Sequence, residues 1–247
     1  MKNNGEEILR VNNISKSFKK DGYKNIVLKD ISFSLHRGEI LALVGPSGCG
    51  KSTLLNIAAG LLKADSGELD FKTNSRIAYI FQEARLLPWM NIEDNISFVQ
   101  KNFLGEVAAI KLRNKLLEEL DLLSDKDLYP AQLSGGMKQR VEIIRALSIK
   151  PDFLLMDEAF KSVDLALKYQ LRNLILRHHS ENNFAQLIVT HDPEEAVLLA
   201  DKILILSASP AVVKKVLEID LPRDDRSLQN KIIYNKLQEI LDLILYM

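Results

Sequence analysis

The sequence predicts an α/β fold built on a mostly parallel sheet with helices on both faces. Two observations predict it. Three short runs, Ile40 to Val44, Phe153 to Met156 and Leu187 to Val189, are wholly apolar and read as strands buried on both faces. Segments of helical period lie between these runs, and strands alternating with helices imply parallel neighbours joined by crossovers.

The elements follow in chain order. Ile31, Phe33 and Leu35 alternate with Ser32 and Ser34, the period of a half-buried strand, and Gly38 marks a turn. The buried run Ile40 to Val44 feeds the glycine-rich loop Gly45 to Gly50. A helix is expected over Ser52 to Ala59, stopped by Gly60. Ile77 to Phe81 is a strand, followed by the loop Gln82 to Trp89. Asn91 is placed to cap a helix, with Asp94 three residues on. Val107, Ile110, Leu116, Leu117 and Leu120 recur at helical spacing over about Glu106 to Leu123. Another helix follows Ser134-Gly135-Gly136 and runs to about Ile149, stopped by Pro151. Near the end Ile233, Leu237, Ile240, Leu241 and Ile244 form one more apolar stripe. It lacks the basic opposite face of a membrane-surface helix, so it is expected to dock on the domain.

Composition narrows the function classes. Lys+Arg and Asp+Glu both number 33, giving a net charge of +0, which offers no broad electrostatic grip on nucleic acid. With Cys49 as the single cysteine no intrachain disulfide can form, which suits a reducing compartment. The polar start, Met1 to Glu7, lacks the apolar core of a secretory signal, and no run reaches the ~20 apolar residues of a membrane span. Work at a membrane is therefore expected to proceed through another, embedded chain.

Gly45-Pro46-Ser47-Gly48-Cys49-Gly50-Lys51-Ser52 fits the pattern G-x-x-x-x-G-K-[ST], with a buried strand before it and a helix after it. The glycines allow backbone N–H groups to converge on a phosphate, and the helix adds its positive end. Lys51 can then reach the terminal phosphates, and the Ser52 hydroxyl, with Thr53 beside it, can face Mg²⁺. Cys49 is expected to be a small loop residue without a catalytic role.

Phe153-Leu154-Leu155-Met156-Asp157-Glu158 is an apolar strand ending in two acids. With the phosphate loop upstream, Asp157 is expected to hold Mg²⁺ and Glu158 to act as the base or water-positioning group. Gln82 and His191 each follow a strand. Gln82 can supply an oxygen to Mg²⁺ or orient water, and His191 can contact the γ-phosphate.

Leu133-Ser134-Gly135-Gly136-Met137-Lys138-Gln139-Arg140 resembles the signature of ABC ATPases. Phosphate loop, Gln82, signature, Asp157-Glu158, Asp164 and His191 stand in the order of that family, and the resemblance spans nearly the whole chain. It implies a P-loop ATPase with an N-terminal antiparallel β subdomain and a helical signature subdomain near residues 90–150. The ATPase domain would cover residues 1–225, with the helix of 226–247 docked on it. ATP and Mg²⁺ are the implied cofactors. Two copies would face head to tail, so that Ser134, Gly135 and Gly136 of one touch the γ-phosphate held by the other. Asp164 would lie in the loop crossing that interface, and Phe18, with Tyr23 as the alternative, would stack on adenine. The chain departs from the family at Met137, at Ala159 and at Lys161-Ser162-Val163, and none of these removes a phosphate or metal ligand.

Gln82-Glu83-Ala84-Arg85-Leu86-Leu87-Pro88-Trp89, Met137, and the stretch Ser207 to Pro210 through Leu221 to Arg223 resemble the nitrate/sulfonate/taurine importer ATPases. Related members carry bicarbonate or thiamine-precursor pyrimidines. This resemblance implies a membrane permease gripped near Arg85, Leu87 and Trp89, a solute-binding protein acting through it, and a place at the cytoplasmic face of the membrane. The rival readings are a soluble ABC-type ATPase on nucleic acid or ribosomes, another P-loop kinase or NTPase, and an exporter ATPase. The single uninterrupted cassette and balanced charge disfavour the first. The signature segment disfavours the second, and the Leu-Leu-Pro-Trp segment disfavours the third.

Overall fold

The structure is a computed structural model that describes residues 5–20, 22–72, 75–161 and 163–245. Met1 to Asn4 of the polar start, Ser162 of the expected interface loop, and Tyr246 and Met247 at the end of the last helical segment lie outside the described residues.

In chain order the strands and helices are β1 (Glu7–Lys20), β2 (Tyr23–His36), β3 (Ile40–Val44), α1 (Lys51–Ala58), β4 (Ser66–Phe71), β5 (Ile77–Ile80), α2 (Ile92–Gln100), α3 (Glu106–Glu119), α4 (Gly135–Leu147), β6 (Phe153–Asp157), α5 (Leu165–Asn182), β7 (Ala185–Val189), α6 (Pro193–Leu199), β8 (Lys202–Leu206), β9 (Val213–Glu218) and α7 (Lys231–Leu245). The chain forms two compact units, Met1–Ser75 with Ala185–Met247, and Arg76–Phe184.

The first unit holds two sheets. One is antiparallel, in the order β2-β1-β4. In the other the strands run β7-β3-β8-β9; β3 is parallel to both neighbours, and β9 closes the edge antiparallel to β8. Every residue of β3, which has a parallel neighbour on each side, is buried, and so is every residue of β7 beside it. Asp201 accepts from Ile40 N at 3.0 Å and from Arg226 Nη2 at 3.1 Å, and it also pairs with Arg223. That knot ties the segment after β9 to the start of β3. In α7, which packs against α6, Ile233, Leu237 and Ile240 are buried.

The second unit pairs β5 with β6 in parallel register, Ile80 opposite Met156. Asn91 caps α2 by accepting from Asp94 N at 2.7 Å. The stripe expected over 106–123 is only partly buried: Leu116, Leu117 and Leu120 are fully enclosed, whereas Val107 is 83% exposed and Ile110 also faces outward. The helix ends at Glu119, because Asp121 takes a positive φ of 53° that an α-helix cannot accommodate. The long helix α5 went unread in the sequence, although Leu171, Leu174, Ile175 and His178 form a buried face at helical spacing.

Candidate functional site

Two groups of the predicted residues lie in the first unit. The Gly45–Gly50 loop leaves the C-terminal end of β3, and His191 follows the C-terminal end of β7. Because β3 and β7 are parallel, with Leu43 opposite Val189, both leave the sheet at one edge. In open α/β sheets that edge is where ligands bind. Gly50 is the N-cap of α1, at φ 116°, and a Cβ there would lie 2.7 Å from Val27 Cγ1, so the turn requires glycine for both conformation and space. No side chain caps α1, and its first turn carries no acid. The backbone N–H groups at this end are therefore not engaged by a cap, as an anion-binding helix start requires. Lys51 is buried, and its Nζ donates to Gly45 O at 2.8 Å and Pro46 O at 2.9 Å, which draws the ammonium across the loop it serves. Ser52 is exposed on the first turn of α1, with Thr53 half-buried beside it.

Cys49 is buried. Burial pushes its thiol pKa up, with nearby Lys51 pulling the other way, so the group is held as a thiol and suits a packing role. His191 is exposed, between two fixed neighbours. Thr190 Oγ1 donates to Glu195 at 2.5 Å, and Asp192 caps α6 by accepting from Glu194 N and Glu195 N. Phe18 lies opposite Asn25 in the β1–β2 ladder and is 41% exposed, with Lys16 Nζ 5.5 Å above its ring. Tyr23 sits at the start of β2, far more exposed.

The remaining predicted residues lie in the second unit. Gln82 follows β5, Asp157 ends β6 and Glu158 comes directly after it. The parallel register again brings them to one edge. Asp157 is buried. Burial, and secondarily the charge of Asp157, raise the pKa of the Tyr79 hydroxyl. Glu158 has φ 44°, a left-handed conformation costly for a residue with a Cβ, and such strain clusters at functional sites. Lys161 N donates to Glu158 O at 3.0 Å, closing the turn, and Lys161 Nζ pairs with Glu158 Oε2 at 2.7 Å. Lys161, one of the departures from the family pattern, thus holds the carboxylate of the expected base.

Ser134 caps α4 by accepting from Met137 N at 3.2 Å, and Gly135 and Gly136 form the first turn. A Cβ on Gly136 would come within 3.0 Å of Leu167 Cδ2, so α4 and α5 begin in close contact. Asp164 caps α5 by accepting from Leu167 N at 3.0 Å. Arg85 and Trp89 are exposed, Trp89 to 69%. Leu87 is anchored: its N–H donates to the buried Asn95 at 2.8 Å, and its carbonyl accepts from Asn95 Nδ2 at 3.2 Å.

Three residues that sequence reasoning missed bind these segments together. Asn95 fixes the Leu87 loop. Gln139 donates to Ala159 O at 2.8 Å, joining α4 to the turn that carries Glu158. Glu142, also on α4, accepts from Arg85 N at 2.8 Å. A lone acid inside the apolar run Val141 to Ile144 was the available signal for Glu142.

Among the described residues no cluster of three or more His, Cys, Asp or Glu side chains could cage a metal. The predicted set of Ser52, Gln82 and Asp157 offers hard oxygen donors with one carboxylate. That set fits Mg²⁺, which keeps most of its shell as water and phosphate oxygen.

Residues 28–161 match the ABC transporter family model. The chain belongs to the ABC transporter ATPase family. Similar to it is the aliphatic sulfonates import ATP-binding protein SsuB 1 of Pseudomonas savastanoi pv. phaseolicola, 42% identical across 82% of this chain and 84% of that one. The corresponding protein of Bacillus licheniformis is 40% identical across 87% and 85%. Among solved structures, a dimeric bacterial ABC transporter cassette superposes with a TM-score of 0.78 at 26% identity, covering 87% of this chain and 100% of that one. The α/β architecture with its antiparallel N-terminal sheet is thus that of an ABC ATPase cassette. Among the described residues no helix is long and apolar enough to cross a membrane.

Proposed function

We propose that this chain is the ATP-hydrolysing subunit of an importer for an aliphatic sulfonate. It would act as a pair of identical copies beneath a separate membrane permease that receives cargo from a solute-binding protein. The observation that carries the reading is a phosphate loop and a second glycine-opened helix start, Ser134 to Gly136, in one chain. Each is an anion cradle, and the second is best used on the nucleotide of another copy.

ATP would lie on the Gly45–Gly50 loop with Lys51 on its terminal phosphates and Phe18 against adenine. Mg²⁺, when bound through Ser52, Gln82 and Asp157, would neutralise charge on those phosphates. Glu158 would orient and deprotonate the attacking water, and His191 would contact the γ-phosphate. Ser134 and Gly136 would reach the nucleotide of the second copy, with Asp164 in the loop between copies. Contacts made only when the pair is closed favour closure by their differential affinity, and loss of the γ-phosphate reverses it. Arg85, Leu87 and Trp89 would transmit that cycle to the permease. The two import proteins of similar sequence support the direction of transport and the sulfonate class.

Two measurements test this. Glu158→Gln protein with Mg-ATP should elute as a dimer in size-exclusion chromatography and return to monomer without nucleotide; a monomer under both conditions, with permease present, refutes the paired arrangement. Deleting the gene in its host should abolish growth on an alkanesulfonate as sole sulfur source and spare growth on sulfate. Unchanged growth refutes the cargo and leaves the ATPase assignment standing.

A further inference from the structure

The loop that carries Gln82 is fastened at both of its ends by one buried carboxylate. Glu142 lies in the middle of α4, and its side chain is wholly enclosed. Its Oε2 accepts from Arg85 N at 2.8 Å, its Oε1 from Phe81 N at 3.4 Å, and Arg145 Nη2 pairs with Oε2 at 3.0 Å. Phe81 and Arg85 bracket Gln82. They also meet each other: the Arg85 guanidinium stands 4.0 Å over the Phe81 ring, which stacks at 4.0 Å on Tyr79. A charge placed in such surroundings must find partners or be neutralised, and burial does push the Glu142 carboxyl up while Arg145 and the two N–H groups draw it down. Packing alone would be better served by an apolar residue, as Val141, Ile143 and Ile144 around it show. α4 begins at the Ser134–Gly136 turn and, through Gln139, also grips the carbonyl of Ala159 beside Glu158.

We propose that Glu142 is a positioning residue for Gln82: it locks the Phe81–Arg85 loop to the signature helix, so that Gln82, the Arg85–Trp89 segment and the Ser134–Gly136 turn move as one body. The inference rests on the ATPase reading given above. The link runs through backbone N–H groups, so it does not depend on which side chains stand at 81 and 85. It needs an acceptor on both oxygens. A glutamine at 142 would present an N–H₂ to one of the two donors and must release it.

The experiment uses the full chain with Mg-ATP and follows steady-state hydrolysis together with amide exchange over residues 81–86. Glu142→Gln should lower kcat about ten- to hundredfold, the scale of a misplaced group outside the chemistry, and leave KM for ATP within about twofold of wild type, since the Gly45–Gly50 loop and Lys51 are expected to supply most of the ground-state affinity. Exchange over 81–86 should speed up, and Glu142→Asp, which keeps both oxygens, should give an intermediate kcat. In a Gln82→Ala background Glu142→Gln should cost nothing further, because both act through one side chain. Additive losses, or a kcat per folded molecule equal to wild type, overturn the proposal. If Glu142→Gln does not fold, the same comparison with Glu142→Asp decides it: exchange and kcat both at wild-type levels overturn it. A wild-type chain that does not hydrolyse ATP overturns the ATPase reading and this inference with it; hydrolysis with an indifferent Glu142 overturns the inference alone.

Discussion

Lys161→Ala should accelerate ATP hydrolysis. The ammonium of Lys161 stands 2.7 Å from Glu158 Oε2, and the pair closes a turn in which the two backbones are already bonded. A carboxylate that must leave an ammonium before it takes a proton from water carries that interaction into the barrier. The Lys161 side chain is 47% exposed and that of Glu158 15%, so solvent screens much of the attraction. Pairs of this exposure are worth about 0.2–1 kcal/mol. Removing one should therefore raise kcat by about 1.4- to fivefold, from the exponential dependence of rate on barrier. A coupled ATPase assay at saturating Mg-ATP reads this directly. Lys161→Arg, which keeps the charge, should stay near wild type. In a Glu158→Gln background Lys161→Ala should change nothing. A kcat that is unchanged or lower in well-folded Lys161→Ala protein refutes the reasoning, as does an increase that survives the loss of Glu158.

Other perturbations probe the separate parts. Glu158→Gln should retain ATP binding and slow hydrolysis by roughly 10²-fold or more, the scale of a lost general base; near-normal turnover removes Glu158 from that role. Lys51→Ala should abolish tight ATP binding in a nucleotide titration, because it removes the ammonium expected on the terminal phosphates. Gly50→Ala forces a Cβ to φ 116° and to 2.7 Å from Val27 Cγ1, which should cost roughly 2–3 kcal/mol and lower the melting temperature by several degrees. The Glu93 carboxyl is held below its ordinary value near 4.5, first by its hydrogen bond to Lys126 and also by Arg113. A lowered folded-state value gives stability that is present above pH about 4.5 and lost as pH falls through the folded value. Glu93→Gln should therefore shift the urea midpoint at pH 7 and have a shrinking effect below pH 4.5; an effect independent of pH excludes the ion pairs as its source.

The ATPase family of this protein was legible in its sequence because each motif that marks it is short. A phosphate loop needs glycines, a lysine and a hydroxyl within eight residues between a strand and a helix, and Gly45 to Ser52 supply all of them locally. The Asn91 cap was equally local, its partner lying three residues away. The buried strands were legible because a strand covered on both faces is apolar at nearly every position, Gln186 in β7 and Asp157 at the end of β6 being the polar members. Periodicity was a weaker guide. Val107 and Ile110 belong to the same stripe as Leu116 and face outward, since spacing says which residues share a side of a helix and not how far the cover extends. The helix α6 was missed despite Asp192-Pro193, a cap and a first-turn proline that could have marked it.

Tertiary structure alone decided how the chemical units are joined. Glu142 and Arg85 are 57 residues apart, and nothing local distinguishes a carboxylate that clamps a distant loop from one that meets solvent. That Gln139 holds the turn beside Glu158, and that Lys161 folds back onto Glu158, depend on where α4 and the end of β6 come to rest. The order of the strands sets those places, and it follows from burial summed over the whole chain, a quantity that no window of neighbouring residues contains.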